Sequence, residues 1–369
     1  MYSSLHISGY RGFDSFRMRG LGRVNLLVGA NNSGKTSILE CLELLRSAGH
    51  PHVLGSIAGR RGEWGYPSDG DARAAVDPRR EPVDVSHLFA GRDLRRRIRV
   101  EAVCIDDAAP DGWNDEVTVY VEEPSGSDDD ERNADSVGED APFVLHVKWA
   151  NAEDDYRARI SEDGVVFRLQ RLARPRGSES QAVQFVRTGG LRAADVARKY
   201  SRFVFTDKDA PVKRALRVVE PAVEDIAPVA DDRRLFGRDG PGGVVVKLRE
   251  TNGQVPIGSL GDGMWRMLGL ALSISSAGGG VLLVDEIDTG LHYSTMEGMW
   301  RMIGAQAAAL SVQVFATTHS RDCYESLAAV AKSEAGNFTI QRIDPSRGEA
   351  VRFGSEAIVA AAEREIEVR

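Results

Sequence analysis

The sequence predicts an α/β chain with a mixed-sheet core, an inserted antiparallel β-rich lobe and several helices. Three observations predict it. A strand, Val24 to Val28, runs directly into a glycine-rich loop, and a helical pattern follows through Leu45. A second strand, the apolar run Val281 to Val284, ends on two adjacent carboxylates, Asp285 and Glu286. Between the two lie strand-like runs, spread over residues 98–186, that one βαβ unit cannot absorb.

In chain order, Leu5 to Phe16 reads as a strand and turn ahead of the strand at Val24. After the loop, Ile38, Leu39, Leu42 and Leu45 recur at helical spacing. Residues 48–82 are rich in Gly, Pro, Arg and Asp and read as irregular surface structure. Strand-like runs follow at 98–105, 117–122, 143–149, 156–160, 165–169 and 182–186, and Asp163-Gly164 suits a tight hairpin turn. The acidic, Ser- and Gly-rich stretch between Pro124 and Pro142 reads as a loop. Helical character returns at 192–200 and 212–226, followed by a strand at 243–248 and a helix at 264–275. Past the acidic strand come a helix, strands at Val312 to Ala316 and Phe338 to Ile343, and a charged terminal helix. The expected division is a single domain over 1–369, with its core from 1–50 and 240–369. The β lobe then spans about 90–190 and a helical segment about 190–240.

Composition narrows the class. The 369 residues are 42% hydrophobic, enough for a substantial core, and no uninterrupted apolar run reaches the length of a membrane span. The first residues lack the basic-then-apolar layout of a signal peptide. Cys41, Cys104 and Cys323 are scattered with no CxxC pair, which implies neither a zinc knuckle nor a disulfide framework and fits a cytoplasmic protein. A net charge of −8 argues against a surface wholly coated for nucleic acid.

Four motifs carry chemistry. Gly29-Ala30-Asn31-Asn32-Ser33-Gly34-Lys35-Thr36 fits GxxxxGK[ST] in full, between a strand and a helix. Its glycines let backbone N–H groups curl toward phosphate oxygens, and the helix N-terminus favours the same anion. Lys35 is placed to bridge the β- and γ-phosphates and Thr36 to hold Mg²⁺, with Asn31, Asn32, Ser33, Gly34 and Ser37 completing the cradle. The strand ending at Asp285-Glu286 supplies a carboxylate for the Mg²⁺ shell, Asp285, and a general base for water, Glu286. Thr317-Thr318-His319-Ser320 follows a strand, and His319 lies 34 residues past Asp285, a spacing for one helix and one strand. Ser259-Leu260-Gly261-Asp262-Gly263 is a helix-entry loop just upstream of the acidic strand.

Order and spacing then point to a family. About 245 residues separate Thr36 from Val281. With the opening Gly9-Tyr10-Arg11-Gly12-Phe13, the run Asp285 to His292 and the run Ala316 to Ser320, the chain resembles the P-loop, ABC-type ATPase heads of SMC, RecF and OLD proteins. The resemblance is closest to stand-alone OLD-like ATPases, and residues 50–240 match in arrangement more than in motif. It implies a Walker A at Gly29 to Thr36, a Walker B at Val281 to Glu286, a D-loop at Thr289 to His292 and a switch histidine at His319. It makes Lys35, Glu286 and His319 catalytic, adds Arg11, Ser259, Gly261 and Gly263 to the ATP-binding residues, and assigns Thr36 and Asp285 to Mg²⁺. One departure stands out: the signature loop of the family has a serine where this chain has Gly261. No Q-loop glutamine can be placed, and Ser86 to Phe89 stays unassigned.

The resemblance further implies a homodimer, or a higher assembly of dimers, that sandwiches Mg-ATP. Full-length OLD proteins continue into a TOPRIM nuclease domain of on the order of 100 residues. Here 50 residues follow His319 and hold no Asp-x-Asp, so the chain is expected not to be a nuclease itself. The leading reading is the sensor ATPase of a bacterial defence system acting with a separate TOPRIM-like nuclease. The alternative is a RecF-like repair ATPase that binds DNA directly, through Arg92, Arg95, Arg96, Arg97 and Arg99 or through Arg168, Arg171, Arg174 and Arg176. A transporter subunit is disfavoured by the long insert, and a non-hydrolysing binder by the presence of Lys35, Asp285, Glu286 and His319 together. Trp265, Met299 and Trp300 read as core residues first and interface candidates second.

Overall fold

Tyr2, Leu5, Ile7 and Tyr10 form the buried side of strand β1 (Tyr2–Tyr10), and Phe13, Phe16 and Met18 that of β2 (Phe13–Arg19). From Phe16 to Arg19 β2 alternates buried and exposed residues, as in a sheet with one covered face, while Phe13 and Phe16 stand three apart. In β1 a register shift between Tyr2 and Ser4 explains why its first two buried residues stand three apart. The computed structural model describes residues 1–47, 52–65, 83–106, 109–123, 143–150, 156–161, 164–166, 183–229, 243–249, 253–333 and 338–364. These residues divide into two compact units assembled from interleaved stretches of chain.

The first unit comprises Met1–Gly20, Thr36–Ser180 and Asp344–Ala350. Its sheet adds β4 (Val83–Asp84), β5 (Ile98–Asp106), β6 (Ala109–Glu122), β7 (Phe143–Trp149), β8 (Tyr156–Ile160) and β9 (Val165–Val166) to the opening hairpin. The eight strands run in the order β2-β1-β5-β6-β7-β8-β9-β4, and every described pairing is antiparallel. Helix α1 (Lys35–Arg46) contributes all but its first residue, and Ile38, Leu39, Leu42 and Leu45 are buried, as their spacing predicts. The Trp149 indole donates to the Leu44 carbonyl at 3.0 Å, tying β7 to the end of that helix. A second helix, α2 (His52–Arg61), occupies residues expected to be irregular; Val53, Leu54, Ile57 and Ala58 are its buried stripe. The turn glycine Gly164 is described, whereas Asp163, the loop at 124–142 and Arg168, Arg171, Arg174 and Arg176 lie outside the described residues.

The second unit comprises Leu21–Lys35, Gln181–Ile343 and Val351–Arg369. Its central sheet holds β3 (Val24–Val28), β10 (Val183–Val186), β14 (Val281–Val284), β15 (Gln313–Thr317), β16 (Phe338–Arg342) and β17 (Val351–Gly354), in the order β10-β14-β15-β3-β16-β17. The first five are mutually parallel and β17 is antiparallel, a mixed sheet as expected. All residues of β3, β14 and β15 are buried, the signature of strands covered on both faces. Strand β10 was expected in the antiparallel lobe; its parallel partner is β14.

The same unit holds a three-stranded antiparallel sheet of β11 (Val223–Val229), β12 (Gly243–Leu248) and β13 (Gln254–Pro256). Its helices are α3 (Ala193–Ser201), α4 (Asp209–Val219), α5 (Asp262–Ser276), α6 (Tyr293–Ala309), α7 (Arg321–Ser333) and α8 (Ser355–Glu363). The helix expected over 212–226 is two elements, since α4 stops at Val219, just before Pro221, and β11 takes over. One apolar cluster joins the β3, β14 and β15 side chains to α4, α5, α6 and α7. Met299 and Trp300 are fully buried in it, and the Trp300 indole donates to the Cys323 carbonyl, so both are interior residues rather than interface. Each such buried aliphatic or aromatic side chain contributes about 1.5–3 kcal/mol.

Candidate functional site

Parallel strands deliver their carboxyl ends to one edge of a sheet, the place where open α/β sheets hold ligands. Here that edge carries, in sheet order, the turn after β10, Asp285 and Glu286 after β14, Thr317 to His319 at the end of β15, and the Gly29 loop after β3.

The loop's curvature is set by positive φ angles at Gly29 (146°), Asn32 (60°) and Gly34 (90°). At Gly29 a side chain is excluded, because a Cβ would stand 2.6 Å from the Ile343 carbonyl oxygen. Asn31 and Asn32 are exposed and Ser33 is buried. Lys35 is only 5% exposed, and its ammonium donates to the carbonyls of Gly29 (2.9 Å) and Ala30 (2.8 Å). Burial lowers its pKa below the ordinary lysine value, opposed by the charges of Asp285 and Glu286. Thr36 and Ser37 follow along α1 in the stretch counted with the first unit, where the Ser37 hydroxyl accepts from Arg61 at 3.2 Å.

The two carboxylates are held differently. Asp285 Oδ1 accepts from the Thr317 hydroxyl at 2.8 Å, and that hydroxyl accepts from the Glu286 backbone N–H, also at 2.8 Å. The Thr188 hydroxyl stands 3.5 Å from Asp285 Oδ2. Glu286 sits in the left-handed region with φ 46°, which costs a non-glycine residue about 1–3 kcal/mol and is characteristic of working sites. Its Oε2 accepts from Thr289 at 3.3 Å. The Thr318 hydroxyl donates to Asp288 at 2.6 Å, and His319 follows, exposed.

Arg266 on α5 supports this turn from within. It is 5% exposed, and its guanidinium donates to the carbonyls of Glu286 (2.5 Å), Arg187 (2.8 Å) and Asp285 (2.9 Å), with longer contacts to Thr188 and Ile287. Burial pushes its pKa down to about 10, opposed by the charges of Asp288, Asp285 and Glu286, so it is still charged at neutral pH.

Ser259, Gly261 and Gly263 border the start of α5. Gly261 precedes the helix with φ 91°, a conformation that disfavours serine, so this backbone is shaped around the glycine that departs from the family pattern. Gly263 lies against the turn at Gly290: a Cβ there would come 3.2 Å from the Gly290 carbonyl oxygen. Ser259 and Gly261 are exposed, and Trp265 is half-buried over Gly258. Arg11 stands in the first unit. Its guanidinium is taken up by Glu63 (2.6 and 3.0 Å), Glu40 (2.9 Å) and the His87 carbonyl, and is 10% exposed.

The donors fit a hard cation and a polyphosphate. Among the described residues no three or more His, Cys, Asp and Glu side chains converge on one point. Mg²⁺ needs no such cage, since it takes one or two carboxylates and completes its shell with phosphate oxygens and water. Asp285, with hydroxyls around it and a glycine-shaped loop along the same sheet edge, is such a donor set.

Thr188 and Arg266 went unnoticed in the sequence, and Thr317 was passed over for His319. Arg266 did leave a signal, as the only charge in the otherwise apolar run Gly263 to Ser276. Thr188 left none, because its relevance rests on the parallel pairing of β10 with β14.

A family model described as "AAA domain, putative AbiEii toxin, Type IV TA system" matches residues 24–322. Uncharacterized protein MJECL10 of Methanocaldococcus jannaschii is 42% identical over 48 residues, 13% of this chain, and the match spans 22% of that relative's length. The fold is similar to the Smc head domain with an extended coiled coil bound to the C-terminal domain of ScpA, from Pyrococcus furiosus. There the TM-score is 0.52 and the identity 10%, over 99% of each chain. It is also similar to the Smc head bound to the C-winged helix domain of ScpA, with TM-score 0.50 and 14% identity over 96% of this chain and 98% of that one. Among the described residues no helix is long and apolar enough to cross a membrane.

Proposed function

We propose, from the premise that this chain belongs to that family of AAA domains, that it is an ATP-hydrolysing switch which dimerises around Mg-ATP. The observation that carries the reading is the meeting of the Lys35 loop, Asp285-Glu286 and Thr317-Thr318-His319 along one edge of a parallel sheet. On this reading Lys35 exchanges its loop carbonyls for phosphate oxygens. Asp285 and Thr36 would hold Mg²⁺, which when bound would supply charge neutralisation on the phosphates. Glu286 takes the proton of the attacking water, and His319 donates toward the γ-phosphate. Ser259, Gly261 and Gly263 offer an exposed helix entry to the nucleotide of a second copy, through backbone N–H groups rather than a serine hydroxyl.

We further assign it a regulatory part in bacterial defence, acting with a separate TOPRIM-like nuclease. The mention of an AbiEii toxin and a type IV toxin–antitoxin system in that family's description supports the defence setting. Smc heads bound to ScpA domains support the idea that such a fold can pass its state to a protein partner. Direct DNA binding through the arginine run ranks second. Each of Arg92, Arg95, Arg96, Arg97 and Arg99 already pairs with a carboxylate: Asp84, Asp93, Asp14, Glu122 and Glu116 respectively.

The test compares wild type with Glu286→Gln, measuring solution mass with and without Mg-ATP alongside phosphate release. The variant should bind ATP, lose turnover by about 100-fold or more, and accumulate as a dimer or larger even-numbered assembly. Normal turnover by the variant would remove Glu286 from the role of base. Monomers with ATP bound in both proteins would remove the sandwich.

A further inference from the structure

A buried arginine normally meets a carboxylate, because the desolvated charge is otherwise expensive. Arg266 meets none within hydrogen-bonding distance among the described contacts. Its acceptors are main-chain carbonyls on two separate stretches, Arg187-Thr188 after β10 and Asp285 to Ile287 after β14. Its counter-charges, Asp288, Asp285 and Glu286, act through space. The residue itself rides on α5, the helix that begins at the Gly261 loop and leans on Gly290 through Gly263. Thus one fork of donors reaches the backbone that carries the proposed base Glu286 and the proposed metal carboxylate Asp285, and the backbone that carries the Thr188 hydroxyl.

We propose that Arg266 is a positioning residue for catalysis: it fixes the left-handed turn at Glu286 and locks α5 to that turn, so that the general base is aimed by the helix of the signature-like loop. The inference rests on the ATPase reading above. Three features support it. The shortest of the five contacts is to the carbonyl of Glu286 itself, the residue with strained φ. A planar guanidinium presents five N–H donors in a fixed fork and here reaches five carbonyls on two stretches, more than the three donors of an ammonium can serve. A purely structural plug at this place in an apolar helix would be cheaper as methionine, since it would carry no buried charge.

The experiment uses the full chain with Arg266→Lys, Arg266→Met and Leu268→Ala. The last removes a fully buried side chain of the same helix without touching the carbonyls. Melting temperature, the ATP dissociation constant and kcat are measured for each. The expected result is a split: both Arg266 variants bind ATP within about threefold of wild type while kcat falls about tenfold or more, lysine failing to rescue. Leu268→Ala should lose melting temperature but keep kcat at temperatures well below its transition. The proposal is overturned if Arg266→Lys turns over like wild type. It is overturned equally if the Arg266 variants lose affinity and kcat together, in step with stability, as a general packing defect would. Failure of the underlying reading looks different: wild type itself would neither bind nor hydrolyse ATP.

Discussion

Two buried arginines, one in each unit, do opposite things with their charge. Arg11, in the antiparallel unit, is gripped by Glu63 and Glu40. Burial opposes its charge, yet Tyr10, Glu63 and Glu40 outweigh that and raise its pKa. Arg266, in the parallel unit, has only carbonyls in reach, and burial wins, lowering its pKa. The first arrangement neutralises a cation where it stands and serves as a cross-link between β1, α1 and the end of α2. The second leaves unspent charge behind a pair of carboxylates. Charge matched locally is the mark of structure, and charge left over is the mark of a place prepared for something else.

The contrast can be pressed from both sides. The largest effect is expected at Lys35, whose ammonium is parked on loop carbonyls. Lys35→Ala should weaken ATP binding by about 100-fold or more, with little change in melting temperature, since only bonds to its own loop are lost. Isothermal titration beside thermal melting checks both halves, and a large fall in stability would make Lys35 structural too. Next comes Arg11→Met, which strands Glu63 while leaving Glu40 to Arg61 and the Tyr10 hydroxyl, and should cost about 3–5 kcal/mol in urea unfolding. Adding Glu63→Gln should recover part of that loss, and no recovery would mean that the pair is not the cross-link described. The smallest effect is at the surface pair Arg99–Glu116. Its hydrogen bond from Arg99 holds the Glu116 carboxyl below the usual glutamate range. A depressed acid contributes stability above its unfolded pKa and loses it as pH falls through the folded value. Arg99→Ala should therefore move the Glu116 titration upward by NMR while changing stability by less than about 1 kcal/mol.

Much of the parallel unit was legible because burial on both faces makes β14 an unbroken apolar run and leaves β3 and β15 mainly apolar around Asn25, Gln313 and Thr317, and because the phosphate loop is local in sequence. Strand β10 carries Gln184 and buries only Val186; its partner alone tells which sheet it joins, and partner choice is not written in four residues. Helix α2 was missed although Val53, Leu54, Ile57 and Ala58 carry its spacing, because surrounding glycines and arginines argued for a loop. Pro221 marked the true end of α4, yet Val223 and Ile226 continued the helical period and drew the expected helix on. At the site the same division holds. Lys35, Asp285, Glu286 and His319 are the candidates that motifs point to. The groups that hold the Asp285-Glu286 turn, Thr188 and Arg266, come from distant stretches brought together by the fold.

The chain passes between the two units at five peptide bonds: Gly20–Leu21, Lys35–Thr36, Ser180–Gln181, Ile343–Asp344 and Ala350–Val351. One of these falls inside a helix, immediately after the lysine of the phosphate loop. Neither unit is therefore a continuous stretch that a gene could gain, lose or exchange in one piece. A fragment ending before residue 343 forfeits β17 and α8 from one unit and the Asp344–Ala350 stretch from the other.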